Sequence, residues 1–258
     1  MFRSIRGVCA AAKQAPGLAR AASSVPAVYE LRTYGIKPEA MPSFMALTAD
    51  KIGLRTAVSP LLLYGASEIG GLNEVVHLWE YPTLGERMGV RVALAGAEEW
   101  NAEYMAPMRP MLAFQTNMTL ALPSAGGVAP SPTPAQGGDP EPAAPPVYEL
   151  RVRSLQHGTA DAWGDMFAES LDAHPRKDNL WGNFISTAGP GGESSAVEIW
   201  RYDSFDERDD ACAVMGVPGS VVSSAEAKGW HNAMEDAVLF VTGESTKLIL
   251  PAPFSPSQ

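Results

Sequence analysis

The chain has 258 residues, 46% of them hydrophobic, and a formal net charge of −10. That composition is ordinary for a globular protein, and the acidic balance argues against nucleic acid as a partner, since phosphates need clustered Lys and Arg. No run of about 18 apolar residues occurs, so no transmembrane segment is expected, and Cys9 and Cys212 alone make neither a disulfide framework nor a metal cluster.

Residues 1–27 stand apart. They carry Arg3, Arg6, Lys13 and Arg20, many alanines, and no acidic residue before Glu30. On a helix, Phe2, Ile5, Val8, Cys9 and Ala12 share an apolar side, while Gly7, Lys13 and Pro16 interrupt any secretory-type apolar core. This is the pattern of an organellar transit peptide, mitochondrial or plastid.

Residues 28–35 alternate β-branched and aromatic residues and predict a strand, with Tyr29, Leu31 and Thr33 on one face and Glu30, Arg32 and Tyr34 on the other. Lys37-Pro38-Glu39 opens a helix whose buried stripe is Met41, Phe44, Met45, Thr48 and Ile52. Residues 61–69 and 74–81 predict two strands joined by the tight turn Gly70-Gly71-Leu72-Asn73. Thr83 and Glu86 form a capping box for a helix reaching about Ala95. A short helix over Glu98–Met105 places Trp100 and Tyr104 on one side, and residues 112–122 predict a last strand. The order is β-α-β-β-α-β.

Residues 123–146 follow as a linker. Eight of these 24 residues are proline and four are glycine, a composition that favours extended, mobile chain. The pattern then starts again. Tyr148-Glu149-Leu150-Arg151 repeats Tyr29-Glu30-Leu31-Arg32 at an offset of 119, and Glu198-Ile199-Trp200-Arg201-Tyr202 echoes His77-Leu78-Trp79-Glu80-Tyr81 at 121. Glu86-Arg87 returns as Glu207-Arg208. Trp163 falls where Phe44 falls. Later helices are predicted over Ser204–Met215 and Ser220–Ala233, and a final strand lies within Ala237–Leu250. Several matches in register at a nearly constant offset mark a tandem duplication of a domain of about 100 residues. The domains are 28–122 and 147–258.

With the repeat in view, the chain resembles the NIPSNAP family. The residues that carry the resemblance are Tyr29-Glu30-Leu31-Arg32-Thr33-Tyr34, the Gly-Gly-Leu-Asn turn before His77-Leu78-Trp79-Glu80-Tyr81, Lys51–Ala57, Trp100, Pro110-Met111-Leu112 and Ile249-Leu250-Pro251. In the third strand of the second copy the family pattern has His, where this chain has Glu198. The resemblance implies an α+β fold in which two tandem ferredoxin-like units pack their sheets together as a dimeric α+β barrel. It also implies mitochondrial residence, in the matrix or at a membrane, in agreement with the leader. Protein partners, autophagy adaptors among them, follow from the resemblance, as do links to mitochondrial quality control (mitophagy) and vesicular transport. Homo-oligomerisation stays open.

Standard catalytic signatures are absent: there is no G-x-x-x-x-G-K-[ST], H-E-x-x-H, G-x-S-x-G or C-x-x-C. His77, His157, His174 and His231 are too scattered for a metal set. No catalytic residue, cofactor or metal is therefore expected, which favours a non-enzymatic interaction protein. The alternative is a small-molecule-binding or monooxygenase-like barrel. Its candidate ligand-binding residues are His77 and Glu198, which occupy equivalent strand positions, with Trp79 and Trp200 on the same faces. Each of the two polar groups is better explained by a local partner such as Arg32 or Arg151. Glu30/Arg32 and Glu149/Arg151 fit cross-strand structural pairs rather than catalytic acids and clamps.

Overall fold

The computed structural model describes residues 27–131, 145–189, 194–215 and 225–257. The leader, the centre of the linker, residues 190–193 and the start of the predicted 220–233 helix lie outside these residues. The first half contains β1 (Val28–Ile36), α1 (Met41–Thr56), β2 (Leu61–Ile69), β3 (Glu74–Tyr81), α2 (Leu84–Gly96) and β4 (Leu112–Ala121). Between α2 and β4 the chain winds through a π-helical turn (Trp100–Met105), the single turn α3 (Ala106–Met108) and a 3-10 turn (Arg109–Met111). The second half contains β5 (Val147–Leu155), α4 (Ala160–Leu171), β6 (Leu180–Ala188), β7 (Ser195–Tyr202), α5 (Phe205–Met215), α6 (Ala225–Ala233), α7 (Glu235–Val238) and β8 (Val241–Pro251).

The eight strands close into one antiparallel barrel in the order β1-β3-β2-β8-β5-β7-β6-β4. The halves therefore join edge to edge within one chain, at the seams β2–β8 and β4–β6. Closure removes every free strand edge. Strand parity then sorts the side chains. Tyr29, Leu31, Leu63, Val76 and Leu78 from the first half meet Tyr148, Leu150, Phe184, Val197 and Ile199 from the second inside the barrel. Burial of each large apolar side chain stabilises by about 1.5–3 kcal/mol. The barrel interior is packed core. On the outer face, each half has its own cluster beneath its own helices, with Phe44, Trp79 and Tyr81 in the first and Trp163, Phe167 and Trp200 in the second.

Local signals hold at several predicted points. Thr83 accepts the Glu86 backbone N–H at 3.1 Å and starts α2. Asn73 takes φ 59° and Gly70 φ 92° in the β2–β3 turn, conformations that Asn and Gly tolerate.

Each half also sends a tail onto the other. After β4, Val128 donates its N–H to Asn183 Oδ1 at 2.6 Å and accepts from the Asn183 N–H at 3.2 Å. Trp181 Nε1 donates to the Ser131 carbonyl, and Gly126, at φ 61°, lies against Ala168 with no room for a Cβ. The start of the Pro- and Gly-rich stretch is thus docked on β6 and α4, because Asn183 and Trp181 supply the backbone partners that composition cannot reveal. After β8, Ala252 donates to the Tyr64 carbonyl, Ser255 Oγ accepts the Tyr64 N–H, and Ser257 Oγ donates to the Leu62 carbonyl.

Candidate functional site

The repeated Glu-Leu-Arg stretch builds a buried ion cluster in each half. On β1, Glu30 accepts from Arg87 of α2 at 2.5 Å and from Asn117 Nδ2 at 2.9 Å, and Tyr81 Oη donates to it at 3.3 Å. Burial pushes the Glu30 carboxyl up, but the Arg87 hydrogen bond and the charges of Arg32 and Arg87 outweigh it and hold it below the usual range. On β5, Glu149 takes Arg151 at 2.8 Å and Arg208 of α5 at 3.2 Å, with the same outcome. These pairs tie the first and fifth strands to a covering helix. They run along one strand and up to a helix rather than across strands.

Above this cluster the first half keeps a cavity of about 300 Å³ between the outer face of the sheet and its helices. His77, Tyr64, Trp79 and Arg55 form its buried floor, and Trp100 and Tyr104 a side wall with ring centroids 4.6 Å apart. Arg91, Arg109 and Gln115 are exposed at its mouth. Among the described residues no Asp or Glu lines it.

The floor groups are fixed by their neighbours. His77 is 3% exposed, stacks on Tyr64 and meets Tyr34 edge-on. Its Nδ1 accepts the Trp79 indole N–H at 2.5 Å. Burial, then the charges of Arg32 and Arg55, drive its pKa well below the ordinary histidine range. The ring is therefore neutral, with its proton on Nε2, and that Nε2–H is buried without a partner. Arg55, 5% exposed, lies 4.1 Å over the Trp79 ring and donates one Nη to Tyr81 Oη. Its other Nη is buried and unpaired. Arg32 Nε sits 3.7 Å from Glu30, also without a hydrogen bond. A buried donor left without an acceptor costs about 1–3 kcal/mol.

The second half fills the equivalent space. Arg153 replaces Tyr34 and is ion-paired with Glu198, which replaces His77. Trp200 donates its indole N–H to Glu198 at 3.1 Å. Asn183 stands at the place of Tyr64 and is occupied by the docked tail. Trp163 stands for Phe44, and only about 10 Å³ remains beside Glu198. His174, in the place of Arg55, stacks on Trp200 with centroids 4.5 Å apart.

Of the four residues picked from the sequence, His77 and Trp79 thus line one cavity, while Glu198 and Trp200 belong to the other half's packing. They do not converge, because both sets face outward under separate helices rather than across the barrel. Glu198 is neutralised by Arg153, not by Arg151. Arg55, Tyr64, Arg91 and Arg109 were not singled out. The clue was that Arg55 falls on the buried face of α1, three and seven residues beyond Ile52 and Thr48. Cys212 is half-buried, and burial raises its thiol pKa. Among the described residues no His, Cys, Asp and Glu group could hold a metal ion, and no helix is long and apolar enough to cross a membrane.

Comparison with known proteins follows the same two halves. The NIPSNAP family model matches residues 29–125 and again 148–256. The chain belongs to the NIPSNAP family. Protein NipSnap homolog 3B of Homo sapiens is 30% identical over 244 residues, covering 88% of this chain and 85% of that one. Protein NipSnap of Drosophila melanogaster is 22% identical over 237 residues, covering 90% and 79%. Among solved structures, one described as a putative monooxygenase from Lactobacillus acidophilus superposes with a TM-score of 0.56 at 10% identity, over 88% of this chain and 94% of that one. At that identity the likeness is one of fold alone. This NIPSNAP chain thus keeps an open cavity in its first half and a nearly filled one in its second.

Proposed function

We propose that the protein is a mitochondrial small-molecule-binding protein that uses its first half as the receptor and its second half as structural support. One observation carries the reading: equivalent places in the two halves hold a 300 Å³ cavity with unpaired donors and a nearly filled space of about 10 Å³. A pocket with convergent polar groups and perturbed titration is a natural binding site. The strand orders β4-β1-β3-β2 and β8-β5-β7-β6 support taking each half as a ferredoxin-like unit, with residues 28–122 and 147–258 as the two domains. Mitochondrial residence rests on the basic, acid-free leader.

The test is native mass spectrometry of the full chain purified from its own mitochondria, beside the double variant Tyr34→Arg/His77→Glu, which copies the filled half. A small molecule retained by the wild type and lost by the folded variant is expected. Equal retention by both would refute the assignment. A reporter fused to residues 1–27 that stayed cytosolic would remove the mitochondrial part.

A second reading has its own support. Leu84, Met88 and Val92 recur every four residues along α2 and are 52%, 56% and 61% exposed. An apolar helical stripe in water suits docking of a partner, as a non-enzymatic scaffold linked to mitophagy or vesicular transport would need. Met88→Glu would then abolish partner capture, while leaving ligand retention intact.

A further inference from the structure

We infer that the first-half cavity is a receptor for organic monocarboxylates, with the carboxylate at the floor against Arg55, Arg32 and His77 and a flat or flexible apolar body toward Trp100 and Tyr104. This deepens the small-molecule reading above and rests on it. The charged groups of the floor are all donors, and the Tyr64 hydroxyl beside them is also buried without a partner. Arg55 has one nitrogen spent on Tyr81 and one free, Arg32 has its Nε free, and His77 presents Nε2–H because its Nδ1 is occupied by the Trp79 indole. Three unpaired nitrogen donors, one unpaired hydroxyl and, among the described residues, no lining carboxylate call for an anion that brings at least two acceptor oxygens.

Glu30 lies 3.7 Å from Arg32, but it is already hydrogen-bonded by Arg87, Asn117 and Tyr81, and among the described residues no carboxylate pairs directly with Arg55. Arg91 and Arg109 at the mouth add two further positive charges, although the whole chain is acidic at −10. A local positive funnel on an acidic protein steers anions toward one opening. The walls are aromatic and aliphatic, which favours an apolar body behind the charged head.

The rim of the cavity also carries the end of a helix. Leu94 and Ala95, which line the cavity, belong to the C-terminal turn of α2, the negative end of its dipole. Asn101 caps this end by donating Nδ2 to the carbonyls of Leu94, Ala95 and Ala97. Those carbonyls are thus spent, and the mouth keeps its positive character.

The experiment titrates the full chain, labelled with ¹⁵N at tryptophan, with benzoate, 2-naphthoate and octanoate, each beside its primary amide, and with 2-naphthyl phosphate. At least one acid should shift the indole signals of Trp79 and Trp100 and bind about tenfold or more tighter than its amide, a difference of about 1.4 kcal/mol or more. Arg91→Gln, exposed and outside the buried network, should weaken the acid several-fold and leave the amide unchanged. Arg55→Gln should abolish the preference for the acid. If that variant fails to fold, the acid–amide pair and Arg91→Gln still decide. Acid and amide binding equally at these indoles would overturn the carboxylate assignment while leaving a small-molecule site in place. Tighter binding of the naphthyl phosphate than of naphthoate would overturn it too. Silence of both indoles toward every probe would remove the small-molecule reading itself.

Discussion

His174 makes the second half sensitive to acid. It is 6% exposed, stacked on Trp200 and edge-on to Trp230, and its Nδ1 accepts the Arg176 N–H at 3.1 Å. Burial, then the charges of Arg151 and Arg153, lower its pKa to about 4, against about 6.5 in an unfolded chain. Above about pH 6.5 the ring is neutral in both states and contributes no slope. As pH falls further the unfolded chain takes up a proton that the folded chain refuses, so stability drops until about pH 4 and then levels. At about 1.4 kcal/mol for each pH unit of that window, the loss attributable to His174 is about 3 kcal/mol. The assay is urea unfolding at a series of pH values for the wild type and His174→Gln. The variant starts from a lower stability because a stacked ring is gone, and the readout is the slope, not the starting value. Its stability should fall by about 3 kcal/mol less than that of the wild type across the window. His77, Glu30 and Glu149 titrate in both proteins and cancel in the difference. Parallel curves for the two proteins would refute a neutral, buried His174.

Three further outcomes are expected. A Cβ on Gly65 would lie 2.5 Å from both the Leu250 carbonyl oxygen and Ile249 Cγ2 at the β2–β8 seam, so Gly65→Ala should lose about 1–3 kcal/mol in thermal unfolding, whereas Gly53→Ala in α1, with nothing within 4 Å, should gain about 0.5–1 kcal/mol. Glu30→Gln leaves Arg87 and Arg32 with an uncharged partner in a buried cluster and should cost about 3–5 kcal/mol in urea unfolding; since the carboxyl is held below its usual range, that deficit should shrink as acid protonates the wild-type group. Limited proteolysis within residues 132–144 should leave the halves co-migrating on size exclusion, because two seams and two exchanged tails join them; clean separation into soluble halves would contradict the closed barrel.

The sequence determined whatever depends on near neighbours in the chain and on internal repetition. Alternation along residues 28–35 placed Tyr29 and Leu31 on one face and Glu30 on the other, and the barrel interior takes the first set. Thr83 and Glu86 marked the start of α2, and Gly70 and Asn73 the tight turn, since caps and turns are contacts within a few residues. The repeat disclosed two equivalent halves, and parity put His77 level with Glu198. Tertiary structure decided what each face meets. The faces bearing His77 and Glu198 turn outward, so equivalence by duplication became separation in space rather than a shared site. Arg55 comes from α1, Tyr64 from β2 and Arg91 from α2, and only the packing of these elements makes them one cavity. Whether that cavity stays open depends on volumes brought from distant parts of the chain: Trp163 for Phe44, an Arg153–Glu198 pair for Tyr34 and His77, and a tail docked on Asn183. Periodicity reports which way a side chain points, but not how much of the space before it another segment has already filled.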